Sequence, residues 1–198
     1  MSATRQRDHA DQVAKTNTER ALAECEKISD PWFCCQALAS ALRYAPEDQV
    51  KVIDKRAQMR AAECADDYCR SAVLAWLIRV LAERDYVSDA EAVLSSAIKL
   101  ASHASPAGSR AEALFLLFQA AYPLGSRMIA PLVDQLLRLN IQSPHWRCSR
   151  AFISSVAMLF AIVPDDCERI LAALTDQRLI RRTRRAISLG LTCPRSFF

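Results

Sequence analysis

Five arginines fall within residues 178–185 of the stretch "RLIRRTRRAIS", with no acidic residue among them. A guanidinium is a planar fork of donors that matches carboxylate and phosphate oxygens. Aligned arginines can therefore grip an acidic partner helix, a nucleic-acid backbone or an anionic membrane surface. On a helical wheel with Arg178 at zero, Arg181, Arg182 and Arg185 stand at about 300°, 40° and 340°. Leu179, Ile180, Ala186 and Ile187 stand at about 100°, 200°, 80° and 180°, and Arg184 flanks the stripe at about 240°. The segment reads as an amphipathic helix whose apolar side closes the end of a helical stack. Its polar side is either the solvated outer face that a terminal unit needs or a partner-binding face, for which Arg178, Arg181, Arg182 and Arg185 are the candidates. Trp32 and Trp146 join them as candidates, because each follows a break proline by one or two positions. Matched tryptophans either anchor an inter-helix loop on the next unit or form an aromatic ridge along one edge of the molecule, able to stack a base or dock a partner. Trp76, in mid-helix within "VLAWLIRVL", reads as core.

The other reactive side chains lack the spacing that chemistry requires. Of the eight cysteines, Cys34 and Cys35 are adjacent and Cys64 and Cys69 are five apart, with no C-x-x-C. That is no zinc signature. The cysteines read as reduced, buried small hydrophobes, although Cys34 or Cys35 could pair with Cys64 or Cys69 under oxidation. None of His9, His103 and His145 has a Ser, Cys or carboxylate placed in the same element to make a catalytic pair. The acidic pairs Glu47-Asp48, Asp66-Asp67 and Asp165-Asp166 stand at helix starts, where capping accounts for them. No Gly-rich phosphate loop is present. No catalytic residue, metal ligand or cofactor is expected, and the reading favours a non-enzymatic protein.

Charge narrows the partner question. The chain carries 26 basic and 22 acidic residues, a formal net charge of +4. Without the five arginines of 178–185 the balance is 21 against 22, so the basic character resides in one segment. A distributed nucleic-acid surface would look different. The opening "MSATRQRDHADQVAK" has no apolar core, and no apolar run approaches a membrane span. A cytoplasmic chain without a transmembrane segment is expected.

The elements that must position these residues are helical. Of 198 residues 52% are apolar and only three are glycine. Glycine supplies the positive-φ turns of hairpins and phosphate loops, so its scarcity argues against a β or nucleotide-binding α/β fold. Polar breaks recur at Ser29-Asp30-Pro31, Pro46-Glu47-Asp48, Asp66-Asp67, Arg84-Asp85, Ser105-Pro106, Leu124-Gly125-Ser126, Ser143-Pro144 and Pro164-Asp165. Between them the apolar spacing is helical, as with Leu114, Leu117, Phe118 and Ala121. Arg70, Arg110 and Arg150 open successive second helices at intervals of 40, in "CRSAVLAWL", "SRAEALFLL" and "SRAFISSVA". A period of this length with two helices per unit defines an α-solenoid. Five antiparallel helix pairs are expected, at about 8–45, 46–84, 87–122, 126–162 and 164–190, in a single domain with frayed ends at 1–7 and 192–198. Ala37, Ala72, Ala113 and Ala151 allow close helix approach. Arg70, Arg110 and Arg150 are expected in contacts between units.

The pattern Arg110-Ala111-Glu112-Ala113-Leu114, opening the second helix of a pair after a proline break, resembles bacterial HEAT-like repeats, with tetratricopeptide-like repeats as the rival. The resemblance spans about residues 20–190. It implies a scaffold that binds a protein partner on a concave surface; the alternative is a nucleic-acid or other polyanion binder that uses the arginine-rich helix.

Overall fold

The structure is a computed structural model that describes residues 1–190 and 195–198. It is all-α. Eleven α-helices are present among the described residues: α1 (Ala3–Ala14), α2 (Thr18–Glu26), α3 (Pro31–Tyr44), α4 (Glu47–Ala62), α5 (Asp67–Glu83), α6 (Val87–His103), α7 (Ala107–Ala121), α8 (Ser126–Gln142), α9 (Trp146–Phe160), α10 (Pro164–Ala173) and α11 (Gln177–Ser188). A short 3-10 turn, Tyr122–Leu124, links α7 to α8. No described helix is long and apolar enough to cross a membrane.

The helices form two layers. The odd-numbered helices make a continuous sheet of neighbours, α1 on α3, α3 on α5, and so on to α9 on α11. The even-numbered helices lie behind them, α2, α4, α6 and α8 each against both odd-numbered neighbours and α10 against α9, with no extensive contact among themselves. Sequence pattern follows this division. In α4 the buried positions are Val50, Ile53, Asp54, Ala57 and Ala61, in α6 Ala90, Val93, Leu94, Ala97 and Ala101. The two sets have the same spacing, displaced by 40, and Ile129, Leu132, Val133, Leu136 and Asn140 repeat it in α8. One such stripe is what a helix covered on a single side needs. α5, covered on several sides, has no exposed residue before Glu83. Ala37, Ala72, Ala113 and Ala151 are all buried in the odd layer.

The expected first pair, 8–45, is three helices. Asn17 Oδ1 accepts a hydrogen bond from the Arg20 N–H at 2.8 Å and starts α2, which leaves α1 free to join the odd layer beside α3. The break at Lys15-Thr16-Asn17 contains neither Pro nor Gly; asparagine is nonetheless a strong N-cap. α1 begins at Ala3 rather than beyond residue 7, with Ser2 as its cap. Of the other end expected to fray, residues 192–194 lie outside the described residues, and residues 195–198 return across the odd layer to α5 and α3.

The repeated arginines act mainly within units. Arg70 Nε donates to the Cys64 carbonyl just beyond α4 at 2.9 Å, and Arg110 Nε to the Ala104 carbonyl beyond α6 at 3.1 Å. Each second helix thus caps the exposed carbonyl end of the first, which the chain turn brings within reach. Arg150 departs from this pattern and bridges units, with Nη2 donating to Glu112 Oε1 on α7 at 3.0 Å.

Candidate partner-binding site

α11 begins at Asp176, whose Oδ1 accepts from the Arg178 and Leu179 N–H groups at 2.8 and 3.0 Å. Its apolar side buries Leu179, Thr183 and Ala186 against α9, with Thr183 Oγ1 donating back to the Leu179 carbonyl at 2.9 Å. All five arginines remain exposed on the opposite side. Arg184 reaches Glu168 at 3.4 Å, and Arg181 Nε turns back to the Gln177 carbonyl. Among the described residues, Arg178, Arg182 and Arg185 have no acidic partner within 4.0 Å.

A cleft of about 570 Å³ separates the α8–α9 end from the α10–α11 end. Arg178 and Arg182 line one side and Trp146, Ile141 and Leu137 the other. Ile141 is 69% exposed and Trp146 58% exposed, unusual for side chains of this size. Trp146 opens α9 immediately after His145, whose Nδ1 accepts from the Arg147 N–H at 3.3 Å. The guanidinium carbons of Arg147 and Arg150 lie 5.4 and 5.3 Å from the Trp146 ring centroid, and both groups reach Glu112. Cation–π contact and that shared carboxylate hold the indole in place at the cleft mouth.

Three of the six candidates predicted from sequence therefore converge: Trp146, Arg178 and Arg182. Arg181 and Arg185 lie on α11 outside the cleft lining. Trp32 is elsewhere. It packs half-buried against Trp76, edge to face, with centroids 5.9 Å apart, so the two matched tryptophans form no common ridge. Ile141 was missed by sequence reading. It is a lone apolar residue at the end of an otherwise amphipathic helix, and that irregularity was the available signal.

Five cysteines, Cys25, Cys34, Cys35, Cys64 and Cys69, lie within the span from α2 to α5, Cys148 lies in α9 and Cys167 in α10, and all seven that are described are free. Cys25, Cys34, Cys35, Cys64, Cys148 and Cys167 are buried; Cys69 is half-buried and Cys193 lies outside the described residues. Burial pushes the Cys25 thiol up to about 12 and those of Cys64 and Cys167 up to about 11. Thiolate is the reactive form, so at pH 8 these thiols are protonated as well as shielded. Burial and the neighbouring Asp66 raise the Cys69 thiol too, but it alone among the seven is not fully buried, so it is expected to react first with Ellman's reagent in the native protein. Cys69→Ser should remove that first equivalent, and denaturant should release all eight thiols. No group of three or more His, Cys, Asp or Glu among the described residues could hold a metal ion.

No protein-family model matches the chain, and no curated protein or solved structure is significantly similar to it.

Proposed function

We propose that the protein is a non-enzymatic, HEAT-like helical-repeat scaffold that binds a partner protein in the α8–α11 cleft, through a segment both acidic and apolar. The observation that carries this reading is the meeting of exposed Trp146 and Ile141 with Arg178 and Arg182, two cations without carboxylates of their own. Apolar anchors beside unpaired arginines suit an amphipathic acidic helix, in which each kind of side chain finds its complement. The apolar side of the cleft favours protein over nucleic acid. So does the charge balance: without the five arginines of 178–185 the chain carries 21 basic and 22 acidic residues, so its net positive charge resides in α11.

The test compares the full chain with Arg178→Glu/Arg182→Glu as bait in nuclease-treated host extract, followed by rebinding of the purified partner. The reading expects a protein retained by the native chain and weakened roughly tenfold or more by the reversal, since hydrogen bonds to charged groups contribute about 1.5–3 kcal/mol each. Nucleic acid that binds the native chain, fades steeply with salt and is lost on reversal would assign the cleft to polyanions instead. Retention of partners unchanged by the reversal overturns both.

A further inference from the structure

A second site lies on the odd layer, away from α11. Residues 195–198 cross it without regular structure. The Phe197 ring meets Trp76 edge to face, 5.3 Å between centroids at 84°, and Trp76 meets Trp32 in the same manner. The Trp76 indole Nε1–H donates to the Phe197 carbonyl at 2.9 Å. The Arg43 guanidinium covers the Phe198 ring at 4.4 Å, and that of Arg195 lies 5.4 Å from Trp76 and 5.6 Å from Phe197. Arg7, Asp8 and Asp11 of α1 and Gln36 and Ser40 of α3 complete the walls around the two phenylalanines.

We propose that this groove across α1, α3 and α5 is a docking site for an extended peptide with two adjacent aromatic side chains, occupied in cis by residues 195–198 and opened to a partner protein's segment of the same chemistry. Trp76 shows that the groove is built for a main chain. Its indole Nε1–H has no other acceptor among the described residues, and its 8% exposure is reached with residues 195–198 in place, so a peptide that replaces them must bring a main-chain carbonyl to the same donor. The cis segment is a loose occupant. Phe197 and Phe198 are only half-buried and Arg195 and Ser196 are exposed, whereas the core phenylalanines Phe118 and Phe152 are fully buried. Room also remains on both sides: about 170 Å³ beside the phenylalanines and about 420 Å³ around Arg195, between Tyr68, Phe115 and Arg150. A longer peptide could use both. The recognition is that of aromatic anchors plus a main-chain hydrogen bond.

The experiment uses the full chain, its Phe197→Ser/Phe198→Ser variant, and a fluorescein-labelled nonapeptide with Arg-Ser-Phe-Phe at its centre. A tethered segment competes at an effective concentration on the order of millimolar, so freeing the groove should tighten peptide binding roughly tenfold or more. A peptide with serines in place of the phenylalanines should not bind the variant. Trp76→Phe in the variant background keeps the ring but removes the donor, and should weaken binding while circular dichroism stays unchanged. Arg178→Glu/Arg182→Glu should leave the peptide affinity intact, which separates this site from the α8–α11 cleft. Equal binding by native chain and variant, or a destabilised variant that binds nothing, makes residues 195–198 structural and overturns the proposal. A native dimer that dissociates on Phe197→Ser/Phe198→Ser places a second copy's segment in the groove and overturns it too.

Discussion

Phe118→Ala is expected to destabilise the protein by about 3–5 kcal/mol, measured as a fall in the urea midpoint with the native circular dichroism retained in water. Phe118 is fully buried in α7, between Phe115, with centroids 6.4 Å apart, and Tyr122, at 6.3 Å. The large end of the range applies because the hole cannot collapse. α7 is held by α5, α6, α8 and α9 together, so no single neighbour can move in without breaking its own contacts. An array of repeats is stabilised by units and nearest-neighbour interfaces, and α7 belongs to the interfaces on both of its sides. Leu179→Ala is the contrasting case. α11 packs chiefly on α9, with one exposed ion pair to α10, so the loss should appear as faster amide exchange confined to that helix, with the global midpoint little changed. A midpoint shift for Phe118→Ala no larger than that of Leu179→Ala would contradict the two-layer account.

Arg84→Ala is expected to cost about 2–4 kcal/mol, given that each hydrogen bond to a charged group contributes about 1.5–3 kcal/mol. Arg84 ends α5, but its guanidinium reaches the end of α3. Nη1 donates to the Leu42 and Ala45 carbonyls at 2.7 and 2.8 Å, and Nη2 to Glu47 Oε1 at 2.7 Å. The side chain is only 17% exposed, so water restores these contacts poorly. One guanidinium thus joins three helices, with the Tyr86 hydroxyl reinforcing Glu47 from the same side. Arg84→Lys keeps the charge but loses the planar fork and should recover less than half of the stability. The expected fall for alanine is about 5–10 °C in Tm. A Tm within 2 °C of the native value would show that water replaces the guanidinium at these carbonyls.

The sequence pattern carries the helices further than it carries their contacts. Breaks marked by Pro, Gly or Asp were legible, since these residues act through local backbone geometry. The Asn17 break was not, because a single asparagine amid polar residues does not stand out by composition. The interval of 40 between Arg70, Arg110 and Arg150 was visible, but their acceptors were not. A backbone carbonyl has no side-chain signature, so capping within a unit looked the same as bridging between units. The amphipathic character of α11 was legible from its wheel alone. Which arginines meet Trp146 depends on how α8 and α9 are set against α11, a long-range matter that local periodicity does not encode. The two tryptophans that share a sequence context illustrate the same limit. Trp32 falls beside Trp76 and is covered, whereas Trp146 has no such neighbour and stays open.

The continuity of the odd-numbered layer beside the segmented even-numbered one has a mechanical consequence. A strip with one bonded surface and one divided surface bends most easily about the bonded surface. Here that means the even-numbered helices can fan apart or draw together like the ribs of a spine, while each odd-numbered helix keeps its neighbours. The easiest deformation of the molecule is therefore a curl along its length, and it alters the curvature of the odd-numbered face without breaking the packing that forms it.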